Sequence, residues 1–289
     1  MPAPPTLDLQ TLDEGLDAAG LDGAPVIGKV RTLSSRMSRA SLSARCLVLL
    51  ACLGCASART DPGAVDGGAH VLYVTHSGGY RHDCLPTSAR VLTDVGRSSG
   101  LWELEVSDDA AAVLTAEHLA KVDAVVFFTS GDLGLDAGQK QALLDFVSRG
   151  GGFAGFHSAT DTEYGWPEYH DLIGATFDGH PWHQEVRVRV DAPTHPAVRS
   201  FGASFSIADE IYQFRDVRPG STVLLSLDPS SVDISLGNGQ SWGYPLAWAR
   251  SADAGRVFYC ALGHEVSTWE DPRFQSMLRD GIGWVLGKR

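Results

Sequence analysis

Residues Gly150–Thr162 read GGGFAGFHSATDT. The glycines end the pattern before them, Phe153–His157 is a short strand-like run, and Ser158-Ala159-Thr160 form a sharp turn of small residues. A strand thus delivers one polar side chain, His157, to a tight corner. Upstream, Asp136–Ser148 has a helical pattern that stops at Arg149 and the glycine run, and Ala124–Thr129 (AVVFFT) is another buried strand. Before these, Thr115–Lys121 reads as a short helix with Thr115 as N-cap, and Trp102–Val106 alternates as a strand. Leu85–Arg97 places Leu85, Ala89, Leu92 and Val95 on one helical side, and His70–Thr75 (HVLYVT) is a buried strand. Strands alternating with helices of this size predict βαβ units: an α/β domain with a central, mostly parallel sheet flanked by helices.

Downstream of Thr162 the chain is strand-rich. Glu185–Val190 (EVRVRV) alternates cleanly, and Phe205–Ile207, Ile211–Phe214, Thr222–Leu227, Leu246–Arg250 and Val257–Cys260 also read as strands. Pro272–Leu286 closes the chain as a helix with Phe274, Met277, Leu278, Ile282 and Val285 on its apolar face. No repeat and no linker divides residues 70–289, so they read as one domain. With 44% hydrophobic and 20% charged residues, it can build a core without staples. The chain has a formal net charge of −12. An acidic surface repels phosphate backbones, so nucleic acid is not expected as a partner and a neutral small molecule is.

The N-terminal part carries targeting signals. In residues 37–58, MSRASLSARCLVLLACLGCASA, Arg39 and Arg45 precede a short apolar run from Cys46 to Gly54 and a small-residue site at Ala56-Ser57-Ala58. That order is a secretory signal, and the run is too short for a stable bilayer anchor. Leu49-Leu50-Ala51-Cys52 resembles a bacterial lipobox, and Leu53-Gly54-Cys55 a poorer one, so lipid anchoring to a membrane face is the variant reading. Residues 1–36 read as disordered, or as an extension upstream of a true start at Met37; residues 59–69 (RTDPGAVDGGA) read as a linker. The expected location is export: periplasmic or extracellular, free or lipid-anchored.

Ligands of open parallel sheets bind outside the carboxyl ends of the strands. The first strand is followed by Thr75–Asp83 (THSGGYRHD), the third by Thr129-Ser130-Gly131-Asp132, the fourth by His157–Asp161 and the last by Leu262-Gly263-His264. Histidines recur there, whereas His70, His118 and His170 lie elsewhere. His195, at a turn after Asp191-Ala192-Pro193, reads as structural; His183 either flanks the pocket or faces solvent.

Six segments carry a family resemblance: SGGYRHD (Ser77–Asp83), GFHSATD (Gly155–Asp161), FDGHPWHQE (Phe177–Glu185), DEIYQF (Asp209–Phe214), YPLAW (Tyr244–Trp248) and ALGHEVSTW (Ala261–Trp269). As a set they resemble the ThuA-like (trehalose utilisation) family over essentially all of residues 70–289. The resemblance implies a flavodoxin-like, class I glutamine amidotransferase-like fold and a link to the catabolism of trehalose and oxidised (3-keto) disaccharides. Amidotransferases place a cysteine where this chain has His157, and no thiol or serine takes the nucleophile position, so amidotransfer through a thioester is excluded.

The resemblance further implies a catalytic set of His157, His82, Asp161, His264 and Glu210. It places His180 and Tyr212 beside them, and His180, Trp182, Tyr212, Gln184, Tyr80 and Trp269 are expected as substrate contacts. Tyr80, Trp166, Trp182, Tyr212, Trp242 and Trp269 offer stacking faces for sugar rings, with Trp182 the foremost candidate. Two mechanisms stay open. Neutral imidazoles of His157, His180 and His264 with a carboxylate suit a divalent metal, zinc by ligand type, that polarises a carbonyl or activates water. Alternatively a histidine acts as general base and a second histidine or a carboxylate as general acid. Two functions stay open as well: a hydrolase or lyase for a sugar derivative, or a non-catalytic carbohydrate-binding module. Cys84 and Cys260 stand where the family pattern leads one to expect small hydroxyl residues, and in an exported domain they are expected to form a disulfide at the pocket rim.

Overall fold

The apolar runs of the first half become the centre of one sheet. A computed structural model of the chain describes residues 68–288. β1 (Ala69–Val74), β2 (Trp102–Ser107), β3 (Ala124–Phe127) and β4 (Gly152–Phe156) alternate with α1 (Leu85–Ser99), the short α2 (Ala110–Val113) and α3 (Ala116–Leu119), and α4 (Ala137–Ser148). Residues 1–67, which hold the expected leader, the expected upstream extension and most of the expected linker, lie outside the described residues. Every position of β3 and β4 is buried, as expected of strands covered on both faces. Helix starts follow local chemistry. Asp136 accepts from Gln139 N at 2.8 Å while Gln139 Oε1 accepts from Asp136 N at 2.8 Å, a capping box that opens α4. Thr115 caps α3 by accepting from His118 N.

The second half contains α5 (Pro167–Ile173), β5 (Thr176–Phe177), β6 (Trp182–Val190), β7 (Ser204–Ile211), β8 (Phe214–Arg215), β9 (Thr222–Leu227), β10 (Pro245–Ala252), β11 (Gly255–Cys260), α6 (Val266–Glu270) and α7 (Pro272–Val285). α7 buries the predicted Phe274, Met277, Leu278, Ile282 and Val285. α5 and α6 are too short to show a sustained apolar period. The nine-stranded sheet has the order β2-β1-β3-β4-β11-β10-β9-β6-β7, and β5 pairs with β8 in a separate ribbon. Neighbours from β2 to β11 are parallel, and those from β11 to β7 are antiparallel. The expectation of a mostly parallel sheet therefore holds for the first half of the chain; the later strands pair antiparallel.

One sequence boundary is corrected. Phe205–Ile207 and Ile211–Phe214 are not two strands of equal standing: β7 runs through from Ser204 to Ile211. The Asp209-Glu210 doublet does not interrupt the strand, because the buried Asp209 carboxylate is satisfied by N–H and O–H donors.

Register brings the strand ends level. Val74 lies opposite Phe127, Phe127 opposite Gly155, and Phe156 opposite Cys260. The loops after β1, β3 and β4 continue the pairing through single bridges, Ser77 to Ser130 and Gly131 to Thr162. Gly131 has φ +69°, and a Cβ there would lie 2.4 Å from Gly79 N, so these loops close together only because that residue is glycine.

Candidate functional site: a histidine–glutamate cluster at the strand ends

His157 leaves β4 and is fully buried with φ +45°, a conformation that costs energy for a side chain with a Cβ. The turn holds it there. Tyr259 OH donates to the His157 carbonyl at 2.6 Å, and His157 Nδ1 lies 2.7 Å from the Ala261 carbonyl. A carbonyl only accepts, so Nδ1 carries a proton and Nε2 is the ring nitrogen left to face the cluster. That Nε2 is buried without a hydrogen-bond partner, 3.3 Å from Glu210 Oε2. His264 Nδ1 is likewise buried, unpartnered and 3.3 Å from the same oxygen. His82 completes the group, with its ring centroid 4.7 Å from that of His157 and 5.2 Å from that of His264.

Ligand atoms of His82, His157, Glu210 and His264 all lie within 4.8 Å of one another. Zinc bonds to nitrogen and oxygen are about 2.0–2.2 Å, which puts tetrahedral ligands roughly 3.3 Å apart. The two 3.3 Å separations and two orphaned imidazole nitrogens therefore fit a divalent ion. The electrostatics fit too. Burial alone would raise the Glu210 carboxyl, but positive charge shared with the His157 and His264 rings prevails and holds it well below the usual carboxylate range, so this carboxylate is built to face positive charge, whether a protonated imidazole or a metal ion. Burial, reinforced by the neighbouring imidazoles, pushes His82 down to about 3, so its ring is neutral. The Glu210 carboxylate raises His264 against the effect of burial.

Above this floor is a cavity of about 330 Å³, at the small end for ligand pockets, walled by Tyr80, Asp161, Phe177, His180 and Tyr212. Tyr212 lies 4.3 Å from the His157 ring, and Phe177 stacks on His180 at 5.8 Å. Asp161 accepts from Tyr164 OH, and burial raises its carboxyl. A larger groove of about 380 Å³ beside Gly96 and Trp102 has no converging histidines and lies away from these strand ends.

The family model described as ThuA, trehalose utilisation, matches residues 70–285. The chain belongs to the ThuA family. A ThuA-like protein from Bacteroides uniformis superposes on this ThuA domain with TM-score 0.62 at 22% identity, over 76% of this chain and 92% of that one. A second, from Parabacteroides merdae, gives TM-score 0.61 at 19% identity, over 76% and 91%. A cytoplasmic protein of Salmonella typhimurium reaches TM-score 0.53 at 13% identity, over 75% and 98%. At such identities the likeness establishes the fold alone. No curated protein matches the sequence.

The ThuA domain brings His82, His157, Glu210 and His264 into one cluster and lines the cavity over it with Asp161, His180, Tyr212 and Tyr80. Other expected contacts are not pocket residues. Trp182 is buried, donates to the Asp233 carbonyl at 3.0 Å and packs edge-on against Tyr244, so it is core. Trp269 is fully buried, stacks on Phe128 and donates to the Gly263 carbonyl at 2.8 Å; it supports the last loop from below. Gln184 is exposed on β6, away from the cavity lining. Trp166 is buried against Tyr169, and the half-exposed Trp242 is not part of the lining. His180, expected among metal ligands, stands outside the four-residue group: it is half exposed and reaches the other carboxylate oxygen, Glu210 Oε1, at 3.1 Å. His82, in the loop between β1 and α1, and Glu210, near the end of β7, take that place, and both are buried.

The expected Cys84–Cys260 disulfide is not formed; both are buried free thiols. Cys84 Sγ donates to the Gly263 carbonyl at 3.2 Å, and burial pushes its thiol up to about 12, so it is not a poised nucleophile. His183 flanks the site, paired with Glu265 at 2.7 Å and 5.1 Å from the His264 ring. His195 accepts from Ala197 N, a capping role consistent with its structural reading. Sequence reasoning missed Phe177 as a wall and Asp209 as a support. The one available signal for Asp209 was an acidic doublet set among strand formers.

Proposed function

We propose that this ThuA-family protein is exported and acts on a trehalose-type sugar or its 3-keto derivative, with His82, His157, Glu210 and His264 holding a divalent metal, zinc by ligand chemistry. The observation that carries this reading is the pair of buried, unpartnered nitrogens, His157 Nε2 and His264 Nδ1, aimed at one Glu210 oxygen in the cavity floor. A metal there supplies Lewis acidity toward a carbonyl or a bound water. The chain does the rest. The Ala261 carbonyl fixes the His157 tautomer, Glu210 supplies negative charge to the cluster, and Tyr212 with Phe177 excludes water from one wall. Asp161 and His180 stand on the wall as proton carriers.

A cavity with the aromatic walls Tyr80, Phe177 and Tyr212, the carboxylates Asp161 and Glu210, and no lysine or arginine in its lining favours a neutral polyol over a phosphorylated sugar. The order of the parallel strands, with β11 as the fifth, supports reading that half as flavodoxin-like. Residues 37–58 support export, with or without a lipid anchor. The test is metal content of the untagged protein by mass spectrometry, followed by incubation with trehalose and with 3-ketotrehalose. Near-stoichiometric metal and conversion of the keto sugar support the proposal. Saturable sugar binding without product would make it a binding module, and neither binding nor metal would remove the reading.

A further inference from the structure

Asp209 is fully buried, and no cation pairs with it among the described residues. Five donors converge on its carboxylate instead. Oδ2 accepts from Gly263 N at 2.8 Å and Thr268 Oγ1 at 2.9 Å; Oδ1 accepts from Glu210 N at 2.9 Å, His264 N at 3.0 Å and Glu265 N at 3.2 Å. Three of the five are consecutive backbone N–H groups of the loop after β11, and this loop carries His264. A fourth is the backbone N–H of Glu210 itself.

A carboxylate in the interior is costly unless its oxygens are saturated with donors. A core strand needs no such group: an apolar residue at this point of β7 would pack without it. What Asp209 does provide is a rigid tie between two segments far apart in sequence, β7 with Glu210 and the β11 loop with His264. Those two residues approach at 3.3 Å. Trp269, donating to the Gly263 carbonyl, and Cys84 Sγ, donating to the same oxygen, hold the loop from its other side. Gly263 is therefore fixed at both its N–H and its C=O.

We infer that Asp209 is a positioning residue for the cluster: it sets the Glu210–His264 separation by holding both backbones on one carboxylate, and so sets the affinity and coordination geometry for a divalent ion. This inference rests on the metal reading above. It adds a residue that touches neither metal nor sugar but on which both depend.

The test uses Co²⁺ as a spectroscopic probe on the full chain. Wild type, Asp209→Asn and Thr268→Val are titrated with Co²⁺ while the visible ligand-field bands and the Kd are recorded, and urea midpoints report folding separately. Outer-sphere partners of metal ligands typically change affinity by about 10–100-fold. Asp209→Asn keeps the shape but turns one acceptor into a donor facing N–H and O–H groups; it is expected to weaken Co²⁺ binding by that factor and to shift the bands. Thr268→Val removes one donor from outside the His264 loop and is expected to leave the spectrum in place, with Kd within about threefold. Should Asp209→Asn not fold, Asp209→Glu moves the same charge by one methylene and is read the same way. Wild-type binding with unchanged bands and Kd in the Asp209 variant overturns this inference alone. An equal shift in Thr268→Val assigns the effect to general loosening and also overturns it. Wild type that takes up no Co²⁺ overturns both this inference and the metal reading.

Discussion

Replacing His157 by alanine separates the cluster's structural cost from its chemical role. The side chain is fully buried and its Nδ1–H bonds to the Ala261 carbonyl at 2.7 Å. Losing that bond costs about 1 kcal/mol, and the space left by the ring about 2–3 kcal/mol more. The positive φ is retained, so its strain does not change sign or size. The total, about 3–4 kcal/mol, is below the roughly 5–15 kcal/mol by which domains are stable, so the variant folds. Metal affinity falls at least about a hundredfold, since a direct ligand is lost where even outer partners are worth up to that much. His180→Ala is the comparison: its half-exposed side chain predicts a stability change within about 0.5 kcal/mol and retained metal. Urea unfolding, chelator competition and metal analysis on both variants read all of these quantities. Full metal retention in His157→Ala, or equal loss in both, would refute the four-residue ligand set.

Other outcomes follow from particular contacts. Glu163 is buried with φ +55°, accepts from Leu133 N at 2.9 Å and pairs with Lys140 at 2.6 Å. Glu163→Ala is expected to lower the urea-derived stability by about 2–4 kcal/mol, chiefly through the orphaned Leu133 N–H, and Lys140→Met by a comparable amount because it leaves the buried Glu163 carboxylate without its counter-charge; a neutral Lys140→Met would contradict this. Burial lowers the His170 and His195 pKa values below the ordinary 6.5, so between the folded value and 6.5 the unfolded chain binds more protons and stability falls as the pH drops below 6.5. The loss between pH 7 and pH 5 is expected to shrink in His195→Gln; an unchanged or steeper loss would show that His195 is not buried neutral. Both thiols of the folded domain should be slow toward a thiol reagent and react fully in denaturant without reductant; release of neither thiol would restore the disulfide.

Much of this protein is legible in one dimension because its signals are local. The apolar runs at Val71–Val74 and Ala124–Phe127, the Asp136–Gln139 capping box and the apolar face of α7 each depend on residues a few positions apart. Their physics is therefore written in the adjacent sequence. Histidines after successive strands likewise mark the binding edge, because the carboxyl ends of parallel strands share one side of the sheet. The tertiary structure decided what depends on distant partners. It placed β11 beside β4, which brings His264 to His157, and carried β7 through an acidic doublet, which brings Glu210 beneath both. It also buried Trp182 and Trp269 as core, left Cys84 and Cys260 unbonded, and exchanged His180 for His82 in the ligand group. Whether a histidine is a wall, a cap or a ligand depends on which lone pair is left without a partner after the whole chain has packed.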